Sequence, residues 1–138
     1  NRNIIPWWLL LPQGVSGAIK RRGGTKPFKE LGARPLSLGH ARLTGPGNLP
    51  FRGIIHVAGI NLLWFATEYS VTQSVINAMK LVDEHEFQSV AFPLIGSGSG
   101  NRGKDWSLGV MQRALAKIDS PAQVRIVKFE PHSSPAST

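Results

Sequence analysis

A chain of 138 residues, 41% hydrophobic and 17% charged, can bury one core and is too apolar for a disordered chain. It has no cysteine, which excludes a disulfide framework and thiolate chemistry. The formal net charge of +8 is polarised: residues 1–67 hold nine Lys and Arg against one acid, Glu30, while residues 68–138 hold seven of each sign. A basic half suits a polyanionic partner such as a nucleic acid, a nucleotide or a phosphorylated ligand.

In chain order, Ile4–Leu11 is apolar and reads as a buried strand or apolar loop. It is too short to span a bilayer, is broken by Pro6 and lacks a signal-peptide cleavage pattern. No membrane association is expected, and the setting is expected to be intracellular, cytoplasmic or nuclear. Gln13–Ile19 is rich in small residues and reads as a loop turning into a short helix that ends at Gly23-Gly24. Lys26–Leu31 reads as a further turn of helix. Ser37–Thr44 alternates like a strand, and Gly45-Pro46-Gly47-Asn48 is the turn after it.

Gly53–Ala58 is a compact apolar strand, and Asn61–Ala66 a loop carrying Leu63, Trp64 and Phe65. From Glu68 to Glu84, Val71, Val75, Met79 and Val82 share one helical face. Strand Ser89–Ile95 ends in a glycine- and serine-rich turn, and Leu108, Met111, Leu115 and Ile118 mark the helix beyond it. Ala122–Phe129 alternates as a last strand. One domain over 1–130 and a disordered Ser/Pro/Ala tail over 131–138 are expected. Strands alternating with helices, with strands buried on both faces, predict a three-layer α/β/α sandwich around a mixed, mostly parallel sheet.

Ligands of such sheets sit beyond the carboxyl ends of the strands. Two glycine-rich segments fall there: loop one, Gln13, Gly14, Val15, Ser16, Gly17 and Ile19, and loop two, Gly96, Ser97, Gly98, Ser99, Gly100 and Asn101. Glycines let backbone amides approach phosphate oxygens, and a helix N-terminus adds positive potential. The two loops are therefore expected to grip a diphosphate. Ser97 and Ser99 offer hydroxyl donors, Arg102 a charged partner, and Phe129 a ring for stacking a base. Lys20, Arg21 and Arg22 would attract a polyanion. His40 and His56 read as core or surface residues. No His or acid spacing suggests a metal site, and no cofactor is expected.

Three segments together resemble the macro domain family. Gly14-Val15-Ser16-Gly17-Ala18-Ile19 with Gly23-Gly24 is similar to its loop-to-helix segment around the diphosphate and distal ribose. Gly39–Gly45, Asn48-Leu49-Pro50 and Ile54–Gly59 resemble its central strand pair, and Ser89–Gly100 its second phosphate loop. The match runs over roughly residues 13–129. It implies an ADP-ribose ligand, free or attached to protein or nucleic acid.

The chain departs from the family at its front. The family usually has further strands before loop one and an acid there that meets the adenine amino group; either that front is absent from this sequence or another segment supplies the edge, and Asn3 is the candidate remnant of the family's Asn-rich motif. Hydrolytic members of one branch carry an acid where Ser16 stands, and a serine hydroxyl is a poor base without a neighbour. Another branch uses a Lys and an acid near loop two, where Lys104 and Asp105 lie; Asp105 also reads as a helix N-cap. Asn3, Ser16 and Asp105 are thus the catalytic candidates. Hydrolysis of an ADP-ribosyl bond, including removal of the acetyl group from O-acetyl-ADP-ribose, stays open. Two other readings stand beside ADP-ribose binding: a nucleic-acid module using the basic half, and an interaction domain with an aromatic surface of Trp7, Trp8, Trp64 and Phe65.

Overall fold

A computed structural model describes residues 14–60, 63, 65–98 and 102–129. Along the chain these form α1 (Gly14–Gly23), α2 (Lys26–Leu31), β1 (Ala41–Thr44), β2 (Ile54–Val57), α3 (Glu68–Glu84), β3 (Ser89–Pro93), α4 (Lys104–Leu115) and β4 (Gln123–Val127). The apolar segment Ile4–Leu11 and the tail 131–138 lie outside the described residues.

The helical face read from the sequence is the buried face of α3: Val71, Val75, Ala78, Met79 and Val82 are all within a few per cent of full burial. Its ends are specified locally. Thr67 and Ser70 form a reciprocal capping box, each side chain accepting from the other's backbone N–H. Ser70 Oγ also donates to the Gly59 carbonyl at 2.7 Å, which fixes the exit of β2 to the start of α3. At the other end Glu86 takes a left-handed φ of 54°; its N–H donates to Asp83 O and that of Phe87 to Val82 O, a Schellman arrangement.

Two strand pairs carry the helices. β1 and β2 run antiparallel with Ala41 opposite Val57 and Thr44 opposite Ile54. β3 and β4 run parallel, Ser89 opposite Gln123 and Pro93 opposite Val127, and α4 makes the crossover that parallel strands require. The inward residues Val90, Phe92, Val124 and Ile126 pack on α3 and on Val110, Met111 and Ala114 of α4. The alternate residues Ser89, Ala91, Pro93, Gln123, Arg125 and Val127 are exposed. Among the described residues the β3–β4 pair is thus covered on one face, while all four residues of β2 are half-buried.

Two other expectations shift. Ser37–His40 is a turn and not strand: His40 N–H donates to Ser37 O, and Gly39 packs so close to α3 that a Cβ would stand 2.6 Å from that of Gln73. Residues Gly14–Ile19 are helix from the outset and not loop, because small residues let this turn pack closely and Gly17 is buried. The far end of α1 is fastened to the β1–β2 connection. Asn48 N–H donates to Gly23 O, and Gly47, at φ +60°, lies where a Cβ would be 2.2 Å from that same oxygen. α2 is tied to β1 by Arg42 Nη1 donating to Leu31 O and by Gly45 N–H donating to Glu30 Oε2.

Candidate functional site

Because β3 and β4 are parallel, their carboxyl ends share one edge, and loop two leaves from it. Leu94 and Ile95 are buried and anchor the loop from below. Ser107 Oγ, fully buried on α4, donates to Ile95 O. Gly96 then turns at φ +89°, with Ala66 so near that a Cβ would stand 2.6 Å from Ala66 Cβ. An L side chain is excluded there by both conformation and space.

The Ser97 hydroxyl and amide both donate to Leu94 O, so this serine closes the turn instead of presenting its hydroxyl outward. The Gly96 and Gly98 amides donate to no acceptor among the described residues. Gly98 is exposed, with nothing within 4 Å of where a Cβ would stand. Ser99, Gly100 and Asn101 lie outside the described residues.

The first turn of α1 holds Gly14, Val15, Ser16 and Gly17. Its opening amides have no intrahelical acceptor by geometry. It contains no acid, while Lys20, Arg21 and Arg22 occupy the last turn. The three cations therefore complement the negative end of the helix dipole, and no acid of the first turn neutralises the positive end at Gly14. Val15 is exposed, Ser16 and Ile19 are half-buried, and Gly14 has open space around it. Gln13 and Asn3 lie outside the described residues.

Phe129 follows the end of β4 and is 77% exposed. Lys104 Nζ donates to its carbonyl at 2.7 Å, which holds the start of α4 beside the end of β4. Asp105 is not the N-cap of α4. Gly103 fills that position without a side-chain bond, and Asp105 is an exposed first-turn acid on the favourable end of the dipole.

Several cations of the basic chain serve structure. Lys20 Nζ lies 5.0 Å from the Phe28 ring centroid, and burial holds its ammonium below the usual lysine value. Arg52 sits over Phe87, and Arg102 lies near both Phe65 and Trp106. His56 Nε2 pairs with Thr44 Oγ1 at 2.9 Å and meets Phe28 edge-on, while His40 is exposed. Among the described residues no group of three or more His, Cys, Asp or Glu is placed to hold a metal, and no helix is long and apolar enough to cross a membrane.

Sequence reasoning missed the contacts that assemble this edge: Ser70 to Gly59, Ser107 to Ile95, Lys104 to Phe129. Their partners are carbonyls, which every residue has, so no residue type signals them. Trp7, Trp8 and Trp64, proposed with Phe65 as a contact surface, lie outside the described residues.

The comparisons give the class to which this α/β chain with its glycine loop belongs. The Macro domain family model matches residues 8–111, and the chain belongs to that family. An O-acetyl-ADP-ribose deacetylase of Citrobacter koseri is 34% identical over 132 residues, covering 85% of this chain and 72% of that protein. A mutant macrodomain of Oceanobacillus iheyensis with ADPR superposes with a TM-score of 0.79 at 24% identity, over 94% of this chain and 74% of that one. A Trypanosoma brucei macrodomain in complex with ADP-ribose gives a TM-score of 0.71 at 20% identity, over 86% and 52%. These likenesses establish the macro-type α/β fold.

Proposed function

We propose that this chain binds ADP-ribose, free or attached to a protein or nucleic acid. The diphosphate would lie between the first turn of α1 and loop two, with Ser16 near the distal ribose and Phe129 stacking the adenine. The observation that carries this reading is the pair of unclaimed amides at Gly96 and Gly98, at the edge where β3 and β4 end. Glycine amides facing an anion need no side chain and leave room for close approach. The unneutralised N-terminus of α1 supplies a second donor group. A macrodomain solved in complex with ADP-ribose, and a relative named an O-acetyl-ADP-ribose deacetylase, support the same ligand. Gln13, Gly14, Val15, Gly17, Ile19, Ser99, Gly100 and Asn101 belong to the proposed cradle by resemblance.

Binding is the reading the residues favour over hydrolysis. Among the described residues no carboxylate or imidazole hydrogen-bonds Ser16, and Asp105 has its role in the helix. Nucleic-acid binding without ADP-ribose draws less support, since Lys20, Arg42, Arg52 and Arg102 are engaged within the fold.

Calorimetry with ADP-ribose, AMP and a short oligonucleotide tests this. Saturation at one ADP-ribose per chain, with weak salt dependence, is expected. No heat with ADP-ribose at near-millimolar concentration overturns it. Oligonucleotide binding that falls steeply with salt, without ADP-ribose binding, would instead point to counterion release from nucleic acid. Incubation with O-acetyl-ADP-ribose decides between a reader and a hydrolase.

A further inference from the structure

Arg102 follows loop two directly, where a phosphate ligand would stand, yet its side chain is taken up by protein. The guanidinium carbon lies 4.2 Å from the Phe65 ring centroid and 4.7 Å from that of Trp106, both within cation–π range. Nε donates to Ala66 O at 3.0 Å, and the backbone N–H donates to Gly96 O at 3.0 Å. Ala66 is the residue that crowds Gly96, and Trp106 Cζ3 would lie 3.7 Å from a Cβ on that glycine. The side chain therefore joins the segment before α3 to the first turn of α4, and the backbone of the same residue bonds the turn of loop two. This arginine spends Nε and its planar surface on protein contacts beside the loop, contacts that a lysine ammonium cannot reproduce.

We infer that Arg102 is a positioning residue for the ADP-ribose site. It sets the course of the backbone at Gly96–Gly98 and does not itself ligate the diphosphate. This inference rests on the function proposed above, and its test separates the two. Arg102→Lys keeps the charge but loses the planar contacts and the Nε bond. Arg102→Gln removes the charge as well. A positioning role predicts that both variants lose ADP-ribose affinity by a similar factor, about tenfold, from the contacts forfeited. The factor should be the same at low and high salt, at a temperature where both variants remain folded. A direct ligand predicts that Arg102→Lys retains most of the affinity, and that the loss in Arg102→Gln shrinks with salt.

Amide hydrogen exchange of the ligand-free protein gives a second readout. The Ser97 and Arg102 amides, bonded to Leu94 O and Gly96 O, should exchange faster in Arg102→Lys while α3 amides do not change. Faster exchange at those two amides upholds the clamp even if the wild type binds no ADP-ribose, in which case only the ligand assignment falls. Unchanged exchange, or affinity retained in Arg102→Lys, overturns the inference.

Discussion

The Lys104 ammonium donates to the Phe129 carbonyl at 2.7 Å, across 25 positions of sequence. The bond joins the first turn of α4 to the end of β4 and leaves the Phe129 ring 77% exposed beside them. A large apolar side chain held by its backbone, with its ring in water, suits a stacking role better than a core role.

Phe129→Ala should therefore weaken ADP-ribose binding while the melting temperature stays put. Stacking of a base on an aromatic ring is worth about 1–3 kcal/mol, or roughly five- to a hundredfold in affinity. Calorimetry beside a thermal melt checks both halves. A drop in melting temperature with no change in affinity would return Phe129 to the core.

Loop two makes opposite demands at two neighbouring glycines. Gly96→Ala places a methyl into Ala66 at a left-handed φ and should cost about 2–4 kcal/mol of stability. Gly98 is open, so Gly98→Glu should leave denaturant unfolding unchanged and abolish ADP-ribose binding through bulk and negative charge. Retained affinity in Gly98→Glu would make the loop a turn and nothing more.

Glu86 carries a left-handed backbone, which non-glycine residues adopt at a cost of about 1–2 kcal/mol. Glu86→Gly relieves that strain at the end of α3 but adds freedom to the unfolded chain. The net should be a gain of about 0.5 kcal/mol, seen as a higher midpoint in denaturant with unchanged slope. A lower midpoint would mean that the Glu86 side chain supports the helix end.

Asp105 stands in the first turn of α4, exposed and away from the cap position. Asp105→Asn should cost about 0.3–1 kcal/mol of stability through the lost dipole interaction. It should leave ADP-ribose affinity unchanged, and if the wild type turns over O-acetyl-ADP-ribose, that rate as well. Removing a general base costs about a hundredfold or more, so a fall of that size would restore Asp105 as a catalytic residue.

The local patterns were legible without coordinates. α3 occupies the residues its apolar spacing announced, Glu68 to Glu84, and α2 falls at Lys26–Leu31 as read. β2, β3 and β4 sit inside the predicted runs, each trimmed at the ends where hydrogen-bonded pairing stops. α1 ends at Gly23 as read but begins as early as Gly14, where glycine and serine favour loops on intrinsic propensity.

The chain's own chemistry determined where the helices and strands would form, because periodic apolar spacing and capping residues act over a few neighbours. Tertiary structure decided what the polar groups at the loop do. Arg102 finds the Ala66 carbonyl and the Phe65 ring, and Lys104 finds the Phe129 carbonyl. Such partners are set by how the chain closes on itself, and a backbone carbonyl or the face of a ring leaves no mark on the order of residues that precedes it.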